Sequence, residues 1–279
     1  MKALYLGHYK EFGGWANASL DYIKALESVG VDLVCRNISL TGANSDIPEK
    51  IKQLEQNDLQ NIDVCIQHVL PHHLVSTKKF HKNIAHFVYE STNIKDNLWI
   101  DNLKIMDSVF VPNTSVKKSL NDAGLSKVDV VPYACDTSKY TNKYKNIIIP
   151  QVDHKYKFYY IGDWNDRKNL ETIVRCFHSE FNNNEQVCLV IKINKFGFDP
   201  TTLREKFTEL SNSVKQKMRL SSRPSDYAKE VVITDSLSDE NICSLHKSCD
   251  CFVCPSHGEG WSIPSFDAMC FGNTPICSK

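Results

Sequence analysis

Two carboxylates, Glu259 and Asp267, stand eight positions apart in the segment Pro255-Ser256-His257-Gly258-Glu259-Gly260-Trp261-Ser262-Ile263-Pro264-Ser265-Phe266-Asp267. Glycine flanks Glu259 on both sides, and Pro264 sits where a helix can begin. Just upstream, Cys251-Phe252-Val253-Cys254 reads as a buried strand. The order is strand, glycine loop, helix. It brings backbone N–H groups and both acids to the carboxyl end of a parallel sheet, where open α/β sheets bind ligands. Such a place suits an anion beside a polyol. The plainer alternative is a helix-start acid and a solvated loop acid, because the helix dipole alone favours acids there.

Other residues carry chemistry of their own. Arg167-Lys168 falls at the start of a predicted helix over 168–177, where cations oppose the dipole unless an anion is nearby. Gly13-Gly14 follows the first predicted strand and lets the backbone approach a ligand closely, although G-x-G-x-x-G is absent. Glu90 ends a predicted strand over 84–89, as a binding acid or a surface one. His68, His72 and His73 gather around Pro71, while His86 falls inside a predicted strand and reads as packed. Cys249, Cys251 and Cys254 with His257 invite a zinc site, but strand alternation turns Cys254 away from Cys249 and Cys251. No Asp-x-Asp occurs, and no metal is expected.

These residues must be held by a regular frame. Short β-branched runs alternate with amphipathic segments, which argues for parallel βαβ units. In the first half the predicted strands are 3–7, 32–36, 64–67, 84–89, 108–111 and 128–131, with helices over 18–28, 98–106 and 115–123. In the second half they are 158–162, 188–193, 231–234, 250–254 and 274–277, with helices over 168–177, 202–220, 239–247 and 264–271. Ser238 followed by Asp239 and Glu240 is a good helix start. Residues 137–145 are polar and precede Pro150, which marks a linker. The expectation is an α/β chain of two Rossmann-like, doubly wound domains, 1–150 and 151–279. The last predicted strand has no covering helix after it, so the second domain is expected to be incomplete.

The chain has 279 residues, 42% hydrophobic and 24% charged, with 33 basic and 33 acidic side chains. That balance gives a nucleic-acid binder no support. No apolar run is long enough to span a membrane, and the N-terminus lacks a signal-peptide pattern. An odd number of cysteines, 11, suits reduced thiols in a cytoplasmic protein. Peripheral contact with a membrane stays open.

The block 256–264, continued by Asp267-Ala268-Met269 and Gly272-Asn273-Thr274-Pro275, resembles the donor signature of the retaining glycosyltransferases of family 4, or group 1. Tyr160-Ile161-Gly162 with Arg167-Lys168-Asn169-Leu170 is similar to that family's phosphate-binding turn. Val130-Val131-Pro132-Tyr133, Val111-Pro112-Asn113-Thr114, Tyr89-Glu90-Ser91 and Gly13-Gly14 follow its N-terminal domain in order. The resemblance implies a GT-B architecture, two domains facing across a cleft that closes over the substrates. It also implies metal-independent transfer of a sugar, with retention, from a UDP-, GDP- or ADP-linked donor to a saccharide or lipid-linked acceptor.

By the same resemblance, Asp267 binds ribose, Arg167 and Lys168 face the diphosphate, and Glu259 holds the transferred sugar. Gly13, Gly14, Gly260, Trp261 and Ser262 shape the donor site. Many relatives carry a histidine near Glu90, close to the reacting sugar; with Glu259 it is a candidate catalytic residue, its carboxylate binding acceptor hydroxyls or steadying positive charge on the sugar ring. Two departures stand out. The family has glutamate where Asp267 is one methylene shorter, and many relatives have arginine where Asp163 stands. They leave a second expectation, a catalytically impaired nucleotide-sugar module or a subunit needing a partner. A nucleotide-sugar epimerase is a third.

Overall fold

A computed structural model describes every residue except 43, 92, 95–97, 151, 222 and 279. Residues 151 and 279, which bound the second domain expected from the sequence, therefore lie outside the described residues. By internal contacts the chain forms two compact units. The first is Met1–Thr137 with Glu259–Trp261, and the second is Ser138–Gly258 with Ser262–Lys279. Residues 138–150 thus fall with the second unit, ahead of the boundary that composition suggests.

The first unit is a six-stranded sheet in the order β2-β1-β3-β4-β5-β6. Its strands are β1 (Lys2–Gly7), β2 (Asp32–Asn37), β3 (Val64–His68), β4 (Lys82–His86), β5 (Ser108–Val111) and β6 (Val128–Val130). Every pairing is parallel. The helices are α1 (Gly14–Ser28), α2 (Glu49–Gln56), α3 (Trp99–Lys104) and α4 (Thr114–Asp122). Ile100, Leu103, Val116 and Leu120 from α3 and α4 pack on Ala85, Val109 and Val111 of β4 and β5. Asn113 caps α4 by accepting from the Val116 N–H at 2.9 Å. The chain leaves β1 for β2 on one side and returns to β3 on the other. That makes β1/β3 the switch point, the place where such sheets open a crevice.

The second unit repeats the plan with five parallel strands in the order β11-β10-β7-β8-β9. They are β7 (Tyr156–Asp163), β8 (Val187–Asn194), β9 (Lys229–Ile233), β10 (Cys251–Cys254) and β11 (Thr274–Cys277). The helices are α5 (Ser138–Thr141), α6 (Leu170–Glu180), α7 (Pro200–Met218), α8 (Asp239–Ser248) and α9 (Ile263–Cys270). Side chains alternate across the sheet. Tyr160, Leu189 and Ile191 meet Leu170, Ile173, Leu203 and Phe207 of α6 and α7. Tyr159, Cys188 and Val190 meet Leu245 and Ala268 of α8 and α9 on the other face. Ser238 caps α8 as expected, accepting from the Asn241 N–H at 3.2 Å. Here the switch point is β7/β10.

Some boundaries differ from the sequence reading. The strand predicted over 84–89 stops at His86, because its neighbour β5 has only four residues and offers no partner beyond Phe110 and Val111. Glu90 is therefore exposed in irregular chain beyond the strand end. The helix predicted over 168–177 starts only at Leu170. Asn169 takes a left-handed conformation at φ 55°, and residues 166–168 form a 3-10 turn. Helix α2 is absent from the sequence reading. No helix among the described residues is long and apolar enough to cross a membrane.

One half-buried carboxylate pins three elements of the second unit. Glu230 on β9 accepts from Lys215 Nζ at 2.7 Å and from Ser211 Oγ at 2.8 Å, both on α7. It also lies 2.8 Å from Nε2 of His178 on α6. Burial pushes the Glu230 carboxyl upward, but His178 and Lys215 outweigh it and hold it below the ordinary range. Glu230→Ala strands two buried cationic or polar partners. It should cost about 3 kcal/mol of unfolding free energy in urea, with an unchanged denaturant slope. A loss below about 0.5 kcal/mol, the size of a neutral surface change, contradicts the pin.

Candidate functional site

At the β7/β10 switch point the second unit joins two loops. The 3-10 turn carrying Arg167 and Lys168 follows β7, and residues 255–258 follow β10. Asn165 opens the turn by accepting from the Lys168 N–H at 3.2 Å. Three hydrogen bonds then cross between the loops. Arg167 Nη1 donates to the Gly258 carbonyl at 2.6 Å, the His257 N–H donates to the Arg167 carbonyl at 2.8 Å, and Asn169 Nδ2 donates to the Pro255 carbonyl at 3.2 Å. The left-handed Asn169 aims its amide across this seam. Arg167 and Lys168 are both half-buried, and Asp163 at the end of β7 is exposed. A cationic pair thus stands beside the loop that leads into Glu259.

Helix α9 follows. Ser262 precedes it at φ 59°, a strained value for a residue with a side chain. Its hydroxyl lies 2.7 Å from that of Ser265 and 3.7 Å from Cys254 Sγ, which fills the first turn with short polar groups. Asp267 is 4% exposed. Its Oδ2 accepts from Lys139 Nζ at 2.7 Å and its Oδ1 from the Tyr140 hydroxyl at 2.6 Å. Neither donor is named in the sequence reading, which treats 137–145 as a polar linker. Tyr140 and Tyr144, two aromatic residues within that polar run, were the available signal.

In the first unit, Gly13 sits at φ 94° and caps α1, and Gly14 opens the helix. The loop that carries them is tied by Glu11, which accepts from the Thr41 hydroxyl and from the Leu40 N–H at 2.7 Å. Those bonds hold its carboxyl down at about 2. Glu259, Gly260 and Trp261 group with this unit. The Gly260 carbonyl accepts from Asn113 Nδ2 at 2.6 Å, and a Cβ on Gly260 would overlap Val88 Cγ1. Glycine is required there by space. Trp261 lies 6.0 Å from the Tyr133 ring.

The histidines regroup. His72 and His73 lie exposed on a short 3-10 turn, apart from His68. His68 instead ends β3 beside His86, which ends β4; their rings stack at 4.4 Å and 22°. His8 follows β1, so three buried imidazoles occupy the carboxyl ends of adjacent strands. His8 Nδ1 donates to the Ile38 carbonyl at 2.6 Å, and His68 Nδ1 lies 2.8 Å from the Tyr5 hydroxyl. Their Nε2 atoms and that of His86 have no partner among the described residues. Among those residues, no three His, Cys, Asp or Glu side chains are placed to hold a metal ion. Cys249, Cys251 and Cys254 are buried thiols.

Residues 145–279 match the model of the family described as glycosyl transferases group 1. A GDP-mannose:cellobiosyl-diphosphopolyprenol alpha-mannosyltransferase from Xanthomonas campestris is 26% identical over 119 residues. That match covers 43% of this chain and only 27% of the relative's length. Among solved structures, sucrose-phosphate synthase from Thermosynechococcus elongatus superposes with a TM-score of 0.64 at 14% identity, over 99% of this chain and 80% of that one. A trehalose-6-phosphate structure from E. coli bound with UDP-2-fluoro glucose gives 0.67 at 9% identity, over 99% and 84%. At these identities the structural likeness is one of fold, the paired Rossmann-like sheets of the GT-B class.

Burial drives the pKa of His68 well below the ordinary value and that of His86 down to about 3. The folded protein keeps both neutral, whereas the unfolded chain protonates them near pH 6.5. Stability is therefore whole above that pH and falls as pH drops below it, by up to about 1.4 kcal/mol per pH unit for each histidine. Urea midpoints measured between pH 7.5 and 5 should decline accordingly. Constant midpoints across that range contradict the assignment.

Proposed function

We propose that this chain, whose residues 145–279 match the model of the glycosyl transferases group 1 family, transfers a sugar from a nucleotide-sugar donor to a saccharide or lipid-linked acceptor. The observation that carries the proposal is the seam at the β7/β10 switch point. It ties Arg167 to the loop that leads to Glu259 and Asp267, with the half-buried Lys168 next to it in the same turn. Cations fixed in advance where a diphosphate leaves stabilise the charge that develops on it. The bound turn already has its hydrogen bonds, so little reorganisation is left for the reaction itself.

In this proposal Arg167 and Lys168 face the diphosphate and Asp267 receives the ribose hydroxyls. Glu259 holds the transferred sugar. Gly260, Trp261 and Ser262 shape the wall beside it, and Gly13 and Gly14 admit close backbone approach. Glu90 binds an acceptor hydroxyl. The bond from the sugar's anomeric carbon to the terminal phosphate oxygen breaks, and a bond to the acceptor oxygen forms on the same face. The acceptor's proton passes to the departing phosphate. No metal is required, because side-chain cations neutralise that group. GDP-mannose, named for the Xanthomonas campestris relative, is the first donor to try.

A specific observation favours one alternative. Asp163 is exposed where a cation would help. A nucleotide-binding module without turnover fits that fact. Calorimetry with UDP and GDP, paired with a turnover assay on UDP-, GDP- and ADP-sugars, separates the two. Transfer is expected from at least one donor. Arg167→Ala should lower kcat/KM by about a hundredfold, and Glu259→Gln by a similar factor. Transfer that survives Glu259→Ala and Arg167→Ala together contradicts the site. Binding without turnover of any donor favours the module.

A further inference from the structure

The stretch 138–147 is fastened along the second unit rather than hanging free. Lys139 and Tyr140 donate to the two oxygens of Asp267 on α9. Lys247 Nζ donates to the Tyr144 carbonyl at 2.9 Å, and the Ile147 N–H donates to Ser248 Oγ at 2.7 Å, both from α8 and its end. The Tyr140 ring meets Phe271 edge-on at 5.5 Å and Phe266 at 6.3 Å, and Tyr144 meets Phe271 at 5.9 Å. This is a strap with two aromatic anchors and one ionic clasp.

The clasp is unequal. The Lys139 side chain is 29% exposed, whereas that of Asp267 is 6% exposed. A pair so placed gains little net stability, because desolvating the carboxylate offsets the attraction. What it does provide is direction. A carboxylate on a helix has several staggered rotamers, and two directed donors from a separate segment select one. Each carboxylate oxygen accepts at two lone pairs. With one taken on each, one per oxygen is left, which matches two vicinal hydroxyls.

We propose that Lys139 and Tyr140 are positioning residues of the nucleotide site. They hold the Asp267 carboxylate in the rotamer that receives the ribose diol. The inference rests on the function proposed above, specifically on Asp267 as the ribose acceptor. Lys139 and Tyr140 need not touch the nucleotide. Their loss lets the carboxylate turn away, so the ligand loses its diol contact while the diphosphate contacts stay.

The test is calorimetry and donor kinetics on the full chain, with UDP, GDP, ADP and inorganic pyrophosphate as probes. Lys139→Ala should weaken the nucleotide that the wild type binds by about tenfold, and Tyr140→Phe by about threefold, both as losses of one or part of one charge-assisted bond. Pyrophosphate, which has no ribose, should bind all variants alike. Donor KM should rise with kcat held within about twofold. Lys139→Arg should recover most of the affinity. Tyr140→Phe keeps the ring packing, so it carries the same test if Lys139→Ala does not fold. Unchanged or tighter nucleotide binding in Lys139→Ala and Tyr140→Phe overturns the proposal. So does an equal loss for nucleotide and pyrophosphate, which marks a general charge effect. A wild type that binds none of UDP, GDP and ADP removes the function beneath it as well; a wild type that binds, with indifferent variants, removes this inference alone.

Discussion

Everything proposed for the second unit depends on the seam at its switch point. A parallel sheet whose chain reverses direction of growth leaves two loops side by side with no shared strand to hold them. Here β7 and β10 are those strands. Arg167, Asn169 and His257 close the gap with three hydrogen bonds, two from side chains and one from the backbone. Arg167 is thereby committed in two ways, since its guanidinium and its carbonyl both engage the 255–258 loop. That explains why the turn is short and 3-10 in form. A helix beginning at Lys168 would turn Asn169 away from Pro255, and the left-handed Asn169 is the cost of keeping it there.

The same economy governs α9. Its first turn is crowded with small polar groups, Ser262, Ser265 and the Cys254 thiol, and it starts from a strained Ser262. Asp267, one turn further, is buried and takes its partners from outside the sheet. The strap supplying them explains why 138–150 clusters with the second unit despite its polar composition. Polar residues make a linker only where nothing anchors them, and Tyr140, Tyr144 and Ile147 anchor this one.

The repeating α/β pattern was legible because period-2 and period-3.6 hydrophobicity alternate cleanly, and all eleven strands lie within a few residues of the predicted runs. The order strand, glycine loop, helix around Glu259 was legible for the same reason. The close approach of Gly260 to Val88 comes from the structure alone. Other features depend on contacts between distant segments and leave no local trace. The His68–His86 stack joins residues from separate strands; His86 reads as packed, but His68 looks alike with the exposed His72 and His73 in sequence. Lys192, inside the predicted strand over 188–193, is 1% exposed, donates to the Ile193 carbonyl and Asn194 Oδ1, and has its pKa lowered by burial. The Lys139–Asp267 pair spans 128 positions, beyond any spacing rule.

The central claim is that the loops after β7 and β10 form one anion-binding unit. Hydrogen exchange with and without saturating UDP or GDP tests it most directly, because amide protection reports local opening segment by segment. The account predicts that nucleotide slows exchange in 165–170 and 255–263 together, at the same ligand concentration. Protection confined to other segments, or to one of these loops without the other, contradicts it.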